Sequence, residues 1–236
     1  MNIVITGASR GIGASITRAF VKEGDHQLFI LARNIAKLKE LTEACKLLNN
    51  KAKVIPVHCD ITIYSELEKS VNEILSITST IDILINNAGL AIRKPFTKFE
   101  YDEIESLMNT NFHAPANLIR LLIPALVKSK NAHVVNISSL SGFQGSKKFH
   151  GLSYYGASKA ALACLTEILS EEFKGRGVSF NCLALGAVQT EMFSEVFEGY
   201  KAPVSSDQMG DFITNFALNA HNYMQGKVIP VSMSEP

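Results

Sequence analysis

The residues best placed to do chemistry are Tyr155 and Lys159, four positions apart in Tyr154-Tyr155-Gly156-Ala157-Ser158-Lys159. On a helix that spacing puts both side chains on one face, within reach of each other. A free phenol titrates near pH ~10 and is a poor base at neutrality, but a neighbouring ammonium favours the phenolate and draws that value down. Such a pair can donate a proton in one direction of a reaction and accept it in the other. Tyr154 is the rival phenol. Five positions from Lys159, it lies about 140° around the helix and is the poorer partner. Because Tyr and Lys also meet by chance on amphipathic helices, the weight of the pair comes from its company.

Ser138, Ser139 and Ser141 follow a short apolar run at 132–137, and Asn86-Asn87-Ala88-Gly89 follows another at 81–86. In open α/β sheets ligands bind outside the carboxyl ends of the strands. A hydroxyl there is placed to hydrogen-bond a reacting carbonyl oxygen and to stabilise developing alkoxide charge. Directly after the first apolar run comes Thr6-Gly7-Ala8-Ser9-Arg10-Gly11-Ile12-Gly13, which opens a helical segment. Unpaired N–H groups and the positive end of the helix dipole make such a turn an anion site, and Gly7, Gly11 and Gly13 let the backbone turn sharply and approach a pyrophosphate. The second run ends in Ala32-Arg33, where a carboxylate would read a free ribose 2′-OH and a basic group a 2′-phosphate. No carboxylate is present, and Arg10 supplies a second planar guanidinium. NADP(H) is therefore expected over NAD(H).

The elements that must position these groups alternate. Predicted strands at 2–6, 27–32, 53–58, 81–86, 132–137, 179–184 and 227–231 are separated by segments of helical period at 11–23, 36–48, 65–78, 98–109, 114–130, 154–174 and 205–220. That is the pattern of βαβ units, a doubly wound, Rossmann-like α/β fold with a parallel seven-stranded sheet in one domain, residues 1–236. Gly24, Gly175 and Gly177 mark helix ends, while Pro124 is expected to kink its helix or force a boundary. The least regular stretch, 191–203, reads as a mobile loop over the substrate.

Bulk properties exclude several classes. With 47% hydrophobic and 19% charged residues the chain is too apolar for disorder, and a net charge of +1 without a dense basic run gives no footprint for nucleic acid or an anionic membrane. No apolar window approaches the roughly 18 to 20 residues of a spanning helix, and the first strand leaves no room for a signal peptide, so a cytoplasmic protein is expected. Cys45, Cys59, Cys164 and Cys182 are scattered singly and the histidines are dispersed, with no spacing for zinc or a disulfide framework. They read as reduced, mostly buried thiols.

Together these residues resemble the short-chain dehydrogenases/reductases, in the compact branch whose glycine motif reads TGxxxGxG. The resemblance covers essentially the whole chain: Thr6 to Gly13, Asp60 after the third strand, Asn87 within NNAG, Asn111, the serine after the fifth strand, and Tyr155 with Lys159. It implies a sheet order of 3-2-1-4-5-6-7. It also implies a dinucleotide held by the loop of Gly7, Ser9, Arg10, Gly11, Ile12 and Gly13, with Asp60 and Ile61 flanking adenine. Asn87, Ala88 and Gly89 would line the same edge, and Val188 and Thr190 would touch the nicotinamide carboxamide. The implied catalytic set is Asn111, Ser139, Tyr155 and Lys159, with Asn111 holding a water-linked proton relay to Lys159. Ser139 is chosen among the serines because Gly142 stands three residues on. A small-molecule carbonyl or secondary alcohol is the implied substrate, and a homotetramer or homodimer through 98–130 and 154–174 the implied assembly.

Three departures stand out. Ser139 and Tyr155 are 16 positions apart, longer than the family's usual interval, so Ser146 to Gly151 reads as an insertion near the substrate mouth. Leu185-Gly186 replaces the usual Pro-Gly, and the chain ends in Ser-Met-Ser-Glu-Pro instead of a glycine pair. Two rival readings are a non-catalytic NADP(H)-binding sensor or scaffold of the same fold and a nucleotide-sugar epimerase or dehydratase, the latter disfavoured by the short chain and the glycine spacing.

Overall fold

The computed structural model describes residues 1–233; Ser234, Glu235 and Pro236 of the atypical C-terminus lie outside the described residues. The strands are β1 (Asn2–Thr6), β2 (Gln27–Ala32), β3 (Lys53–His58), β4 (Ile83–Asn86), β5 (Ala132–Ser139), β6 (Val178–Leu185), β7 (Val188–Gln189), β8 (Val204–Ser205) and β9 (Lys227–Val231). Seven of them form one parallel sheet in the order β3-β2-β1-β4-β5-β6-β9. This is the expected order. Its last strand is the ninth in the chain because β7 and β8 pair separately, as a two-stranded ribbon.

Helices α1 (Gly11–Glu23), α2 (Ile35–Leu48), α3 (Tyr64–Ile77), α4 (Tyr101–Met108), α5 (Ala114–Leu126), α6 (Ser153–Glu172) and α8 (Ser206–Asn219) pack about the two faces of the sheet, while the short α7 (Glu191–Val196) follows β7 and buries none of its residues. Strand residues are consequently apolar on both sides, as a doubly covered parallel sheet requires. Ile3 and Ile5 pack with Phe20, Leu38 and Ile213 in one layer. Val4, between them, faces Leu67, Val71, Leu118 and Leu122 in the other.

Most boundaries fall within two residues of the sequence reading, and the larger departures have local reasons. α4 starts at Tyr101, where the Glu103 carboxylate accepts the Glu100 N–H at 2.9 Å, after a 3₁₀ turn at Phe96–Lys98. The expected gap between α4 and α5 is instead a π-helical turn, Asn109–His113, that joins them. α5 runs through Pro124 and stops at Leu126; the proline lacks the N–H that would donate to the Arg120 carbonyl, so one bond of the ladder is missing inside the helix, while the Val127 N–H still donates to the Ile123 carbonyl at its end. The stretch at 191–203 carries α7, capped by Thr190, whose hydroxyl accepts the Phe193 N–H at 3.1 Å. Cys45, Cys59 and Cys182 are buried and Cys164 is exposed.

The end of the sheet away from the expected site is held by a buried polar bracket. His133 of β5 is fully buried; its Nδ1 lies 2.9 Å from the Ala217 carbonyl of α8 and its Nε2 lies 3.0 Å from Asn181 Nδ2 of β6. The carbonyl can only accept, so Nδ1 carries the proton and the ring is neutral. Asn181 Oδ1 then accepts the Lys227 N–H at 3.0 Å, tying in β9. Burial lowers His133 to about 4. The unfolded chain therefore binds a proton below about pH 6.5 that the folded chain refuses until about pH 4. Stability from this residue is complete above about 6.5 and is lost progressively on acidification toward about 4. Denaturant titrations are expected to show a loss of about 2 kcal/mol from this group between pH 7 and pH 5, and His133→Gln should flatten that slope. An equal slope in the variant would remove His133 as its source.

Candidate active site

The carboxyl ends of β1, β4, β5 and β6 bring the predicted residues to one edge. At β1, Gly7 turns with φ +68°, and a Cβ there would lie 2.8 Å from Ala88 Cα; a Cβ at Gly13 would run into the Gly7 carbonyl and reach within 2.6 Å of Asn87 Nδ2. These two positions admit only glycine because backbone meets backbone. Thr6 fastens the two loops: its hydroxyl accepts the N–H groups of Asn87 and Ala88 at 3.1 and 3.0 Å, while Asn87 Nδ2 donates to its carbonyl at 2.9 Å. No side chain caps α1, whose first residues are Gly11, Ile12 and Gly13. Their N–H groups and the dipole are left for an anion, and the missing Cβ atoms clear its approach. The cradle fits a dinucleotide pyrophosphate.

Outside this turn lies a cleft of about 620 Å³ bordered by Ser9, Arg10, Gly11, Lys37, Thr190 and Glu191. Val188 is buried at the start of the arm that carries Thr190 to the glycine turn, where a Cβ on Gly11 would touch Thr190 and Glu191 at 3.4 Å. Both guanidiniums singled out for a 2′-phosphate are exposed and held by carboxylates: Arg10 to Glu195 at 3.2 Å and Arg33 to Asp60 at 3.8 Å. Exposed pairs of this kind contribute little, so a phosphate can exchange for them. Asp60 also accepts from the Thr62 N–H and hydroxyl at 3.0 and 2.7 Å. Ile61 sits with Thr6, Asn86 and Ala88 around a small enclosed hollow.

Tyr155, Lys159, Ser139 and Asn111 do converge. Tyr155 is half-buried in the first turn of α6. Burial raises its phenol, and a hydrogen bond with Ser139 opposes that rise. Ser139, rather than Ser138 or Ser141, faces the phenol: the Ser138 hydroxyl donates to the Lys159 carbonyl at 2.8 Å, and Ser141 uses its N–H to donate to Ser139 Oγ at 3.1 Å. Tyr154 is turned away, stacked on Phe96 at 5.4 Å and edge-on to Phe99 at 5.0 Å.

Lys159 is buried, 4% exposed, and its ammonium donates to the Ile137 carbonyl at 2.8 Å. Burial lowers it to about 8. Asn111, fully buried in the π turn, grips the backbone of Leu90 with both amide atoms at 2.9 and 2.8 Å and donates to Ser158 Oγ at 3.0 Å, which donates to the Tyr155 carbonyl at 2.8 Å. Gly89 completes the convergence: a Cβ there would lie 3.3 Å from both Asn111 Oδ1 and Lys159 Nζ.

Several contributors escaped the sequence reading. Asn86 Nδ2 donates to Asn136 Oδ1 at 2.8 Å, Asn136 Nδ2 to Thr166 Oγ1 at 2.9 Å, and Thr166 to the Leu162 carbonyl at 2.8 Å. This ladder locks α6 to β4 and β5 beneath the site. Asn136, polar within an apolar strand, is the signal that could have revealed it. Gly142 has a different role from a spacing mark: a Cβ there would lie 2.6 Å from the Ala160 nitrogen, so it lets the serine turn seat directly on α6.

Comparison with known proteins agrees with this architecture. Residues 1–201 match the family described as short chain dehydrogenase. The ketoacyl reductase HetN of Nostoc is 38% identical over 191 residues, which span 80% of this chain and 64% of HetN. The chain thus spans less than two thirds of that relative. Among solved structures, the Pseudomonas aeruginosa RhlG/NADP active-site complex superposes with a TM-score of 0.87 at 24% identity, covering 98% of this chain and 94% of RhlG. The 3-ketoacyl-(acyl-carrier-protein) reductase of Brucella melitensis, complexed with NADH, gives 0.86 at 20% identity, covering 98% and 96%. No helix among the described residues is long and apolar enough to cross a membrane. By the extent of the family match and the sheet order that carries it, the chain belongs to the short-chain dehydrogenase family of oxidoreductases.

Proposed function

We propose that the protein is an NADP(H)-dependent oxidoreductase that interconverts a carbonyl and a secondary alcohol, with Tyr155 as the general acid and base. The observation that carries the reading is the convergence at one sheet edge of the Lys159 ammonium and Asn111 Oδ1, each 3.3 Å from where a Cβ on Gly89 would sit, with Ser139 at the end of β5 and Tyr155 one helical turn before Lys159 on α6. When bound, the nicotinamide supplies hydride to the carbonyl carbon or takes it from the carbinol. Ser139 holds the carbonyl oxygen and stabilises its negative charge, and Tyr155 donates its phenolic proton to that oxygen. Lys159 favours the resulting phenolate by its charge and binds the ribose hydroxyls. Asn111, fixed by Leu90 and Ser158, holds a water that returns a proton toward Lys159.

The cofactor residues would be Gly7, Ser9, Arg10, Gly11, Ile12 and Gly13 at the phosphates and Asp60 and Ile61 beside adenine. Asn87, Ala88 and Gly89 would lie along the ribose, with Val188 and Thr190 at the carboxamide. Arg10 and Arg33 favour a 2′-phosphate, because no carboxylate ends β2, Arg10 borders the cleft, and both guanidiniums are held only by weak, exchangeable pairs. The name of HetN, a ketoacyl reductase, supports reduction of a carbonyl as the working direction. Exposed Tyr101, Val127 and Ile168 on or beside α4, α5 and α6 support assembly as a homodimer or homotetramer.

Tyr155→Phe should lower turnover of carbonyl compounds by about 10²–10⁴-fold while leaving NADPH binding within a factor of two or so. Turnover like the wild type's in that variant would end the assignment, and intact binding with no turnover in the wild type would favour a sensor. NADPH should bind more tightly than NADH, and Arg33→Ala should weaken NADPH about tenfold, the effect of one charge-assisted hydrogen bond, with NADH unchanged. Equal titration curves for the two cofactors would remove the 2′-phosphate argument. Light scattering should give twice or four times the chain mass; a monomer at micromolar concentration would contradict the assembly.

A further inference from the structure

The insertion at Ser146 to Gly151 folds back onto the turn that carries Ser139. The Lys148 ammonium donates to the carbonyls of Phe143 at 2.5 Å, Ser141 at 3.1 Å and Leu140 at 3.2 Å, and to Ser146 Oγ at 3.0 Å. Ser146 Oγ in turn donates to the Leu140 carbonyl and, at 2.9 Å, to that of Phe143. These carbonyls belong to the 3₁₀ turn Leu140–Gly142 and the residue that closes it. A cation at the carbonyl end of a helical turn satisfies groups that the turn leaves free and complements its dipole.

One of the peptide groups has two faces. The Leu140 carbonyl, which accepts from Lys148 and Ser146, shares its peptide plane with the Ser141 N–H, which donates to Ser139 Oγ at 3.1 Å. A donor on the carbonyl side polarises the peptide and strengthens the N–H on the other side. With a lone pair of Ser139 Oγ engaged by that N–H, its single proton is directed outward, toward the phenol of Tyr155 and the oxygen of a bound carbonyl compound. The hydroxyl is thereby both aimed and made a stronger donor.

We propose that Lys148 and Ser146 are positioning residues for Ser139, acting through the peptide between Leu140 and Ser141. This rests on the catalytic reading of Ser139 and Tyr155 given above. The consequence is specific: removing the ammonium weakens the Ser139 hydroxyl as a donor, so the phenolate of Tyr155 loses support and the phenol titrates higher. Ser139 is the side chain that hydrogen-bonds the phenol, and Lys159, on the same helix, is the charge that both variants leave in place.

The test compares wild type, Lys148→Met, Lys148→Arg and Ser146→Ala in NADPH-dependent reduction of a carbonyl compound that the wild type turns over. Alongside it, the phenolate absorbance of Tyr155 is titrated as the difference between each protein and its Tyr155→Phe counterpart. Lys148→Met is expected to lower kcat about tenfold, the loss of one charge-assisted hydrogen bond, with KM for NADPH unchanged and the Tyr155 titration moved upward. Lys148→Arg should restore most of kcat, and Ser146→Ala should move both readouts in the same direction by less. An unchanged kcat and titration in Lys148→Met would overturn the proposal, and so would a loss confined to KM for the carbonyl compound with the titration unmoved. The titration needs no turnover, so it decides this point even if the wild type proves inactive, a result that would instead refute the proposed function. If Lys148→Met fails to fold, Ser146→Ala carries both readouts.

Discussion

A buried ammonium is the constraint around which this site is built. Lys159 lies 4% exposed with its charge on the Ile137 carbonyl and its own carbonyl accepting from Ser138. Placing an unpaired cation in a protein interior costs several kcal/mol, and here the opposition shows as a fall to about 8. Among the described residues no carboxylate is hydrogen-bonded to it; the Ile137 carbonyl accepts from it instead. That arrangement leaves the ammonium free to act on whatever enters the cleft. Cys182, its neighbour on β6, is pushed up to about 12 and stays a neutral thiol, so it does not quench the charge.

Everything near the ammonium is close-packed in consequence. Gly89 is bare because Asn111 and Lys159 occupy the space a methyl would take, and Gly142 is bare because the serine turn seats on the α6 backbone next to Lys159. The Asn86, Asn136 and Thr166 ladder fixes α6 against two strands, so Tyr155 and Lys159 are carried by a rigid element. Asn111 occupies a π turn, where one extra residue re-aims the chain and lets the amide clasp Leu90. The phenol itself stays raised by burial, with Ser139 as the opposing hydrogen bond. The four-residue spacing of Tyr155 and Lys159 thus puts the two residues one turn apart on α6, while Lys159 directs its own hydrogen bond to the sheet.

Much of this was legible before the fold was seen. The five inner strands are buried on both faces, so they read as continuous apolar runs, and the glycines of the first turn announce a backbone approach that no other residue permits. Parallel strands put the serines at the end of β5 and the Asn86–Gly89 turn after β4 at one edge, while the choice of Ser139 and the place of Asn111 rest on the resemblance to the short-chain dehydrogenases/reductases. What escaped depends on partners distant in sequence or on single turns. The pairing of Arg10 with Glu195 joins opposite ends of the chain. The π turn at Asn109–His113 leaves no periodic signature, and Lys148 looks like any surface lysine until the insertion folds onto the serine turn. α7 does carry a readable cue, Thr190 ahead of Glu191, a hydroxyl placed to cap a short helix.

The measurement that bears most directly on this account is the pH dependence of kcat/KM for NADPH-dependent carbonyl reduction in wild type and in Lys159→Met. In the proposed mechanism reduction needs the Tyr155 phenol protonated, so the rate is expected to fall above the pH at which the phenol ionises. If the buried ammonium lowers that pH, the basic limb of the profile moves upward in Lys159→Met as the overall rate drops. A lower rate with the basic limb in its original place would contradict the account, leaving Lys159 as a cofactor ligand without influence on the phenol.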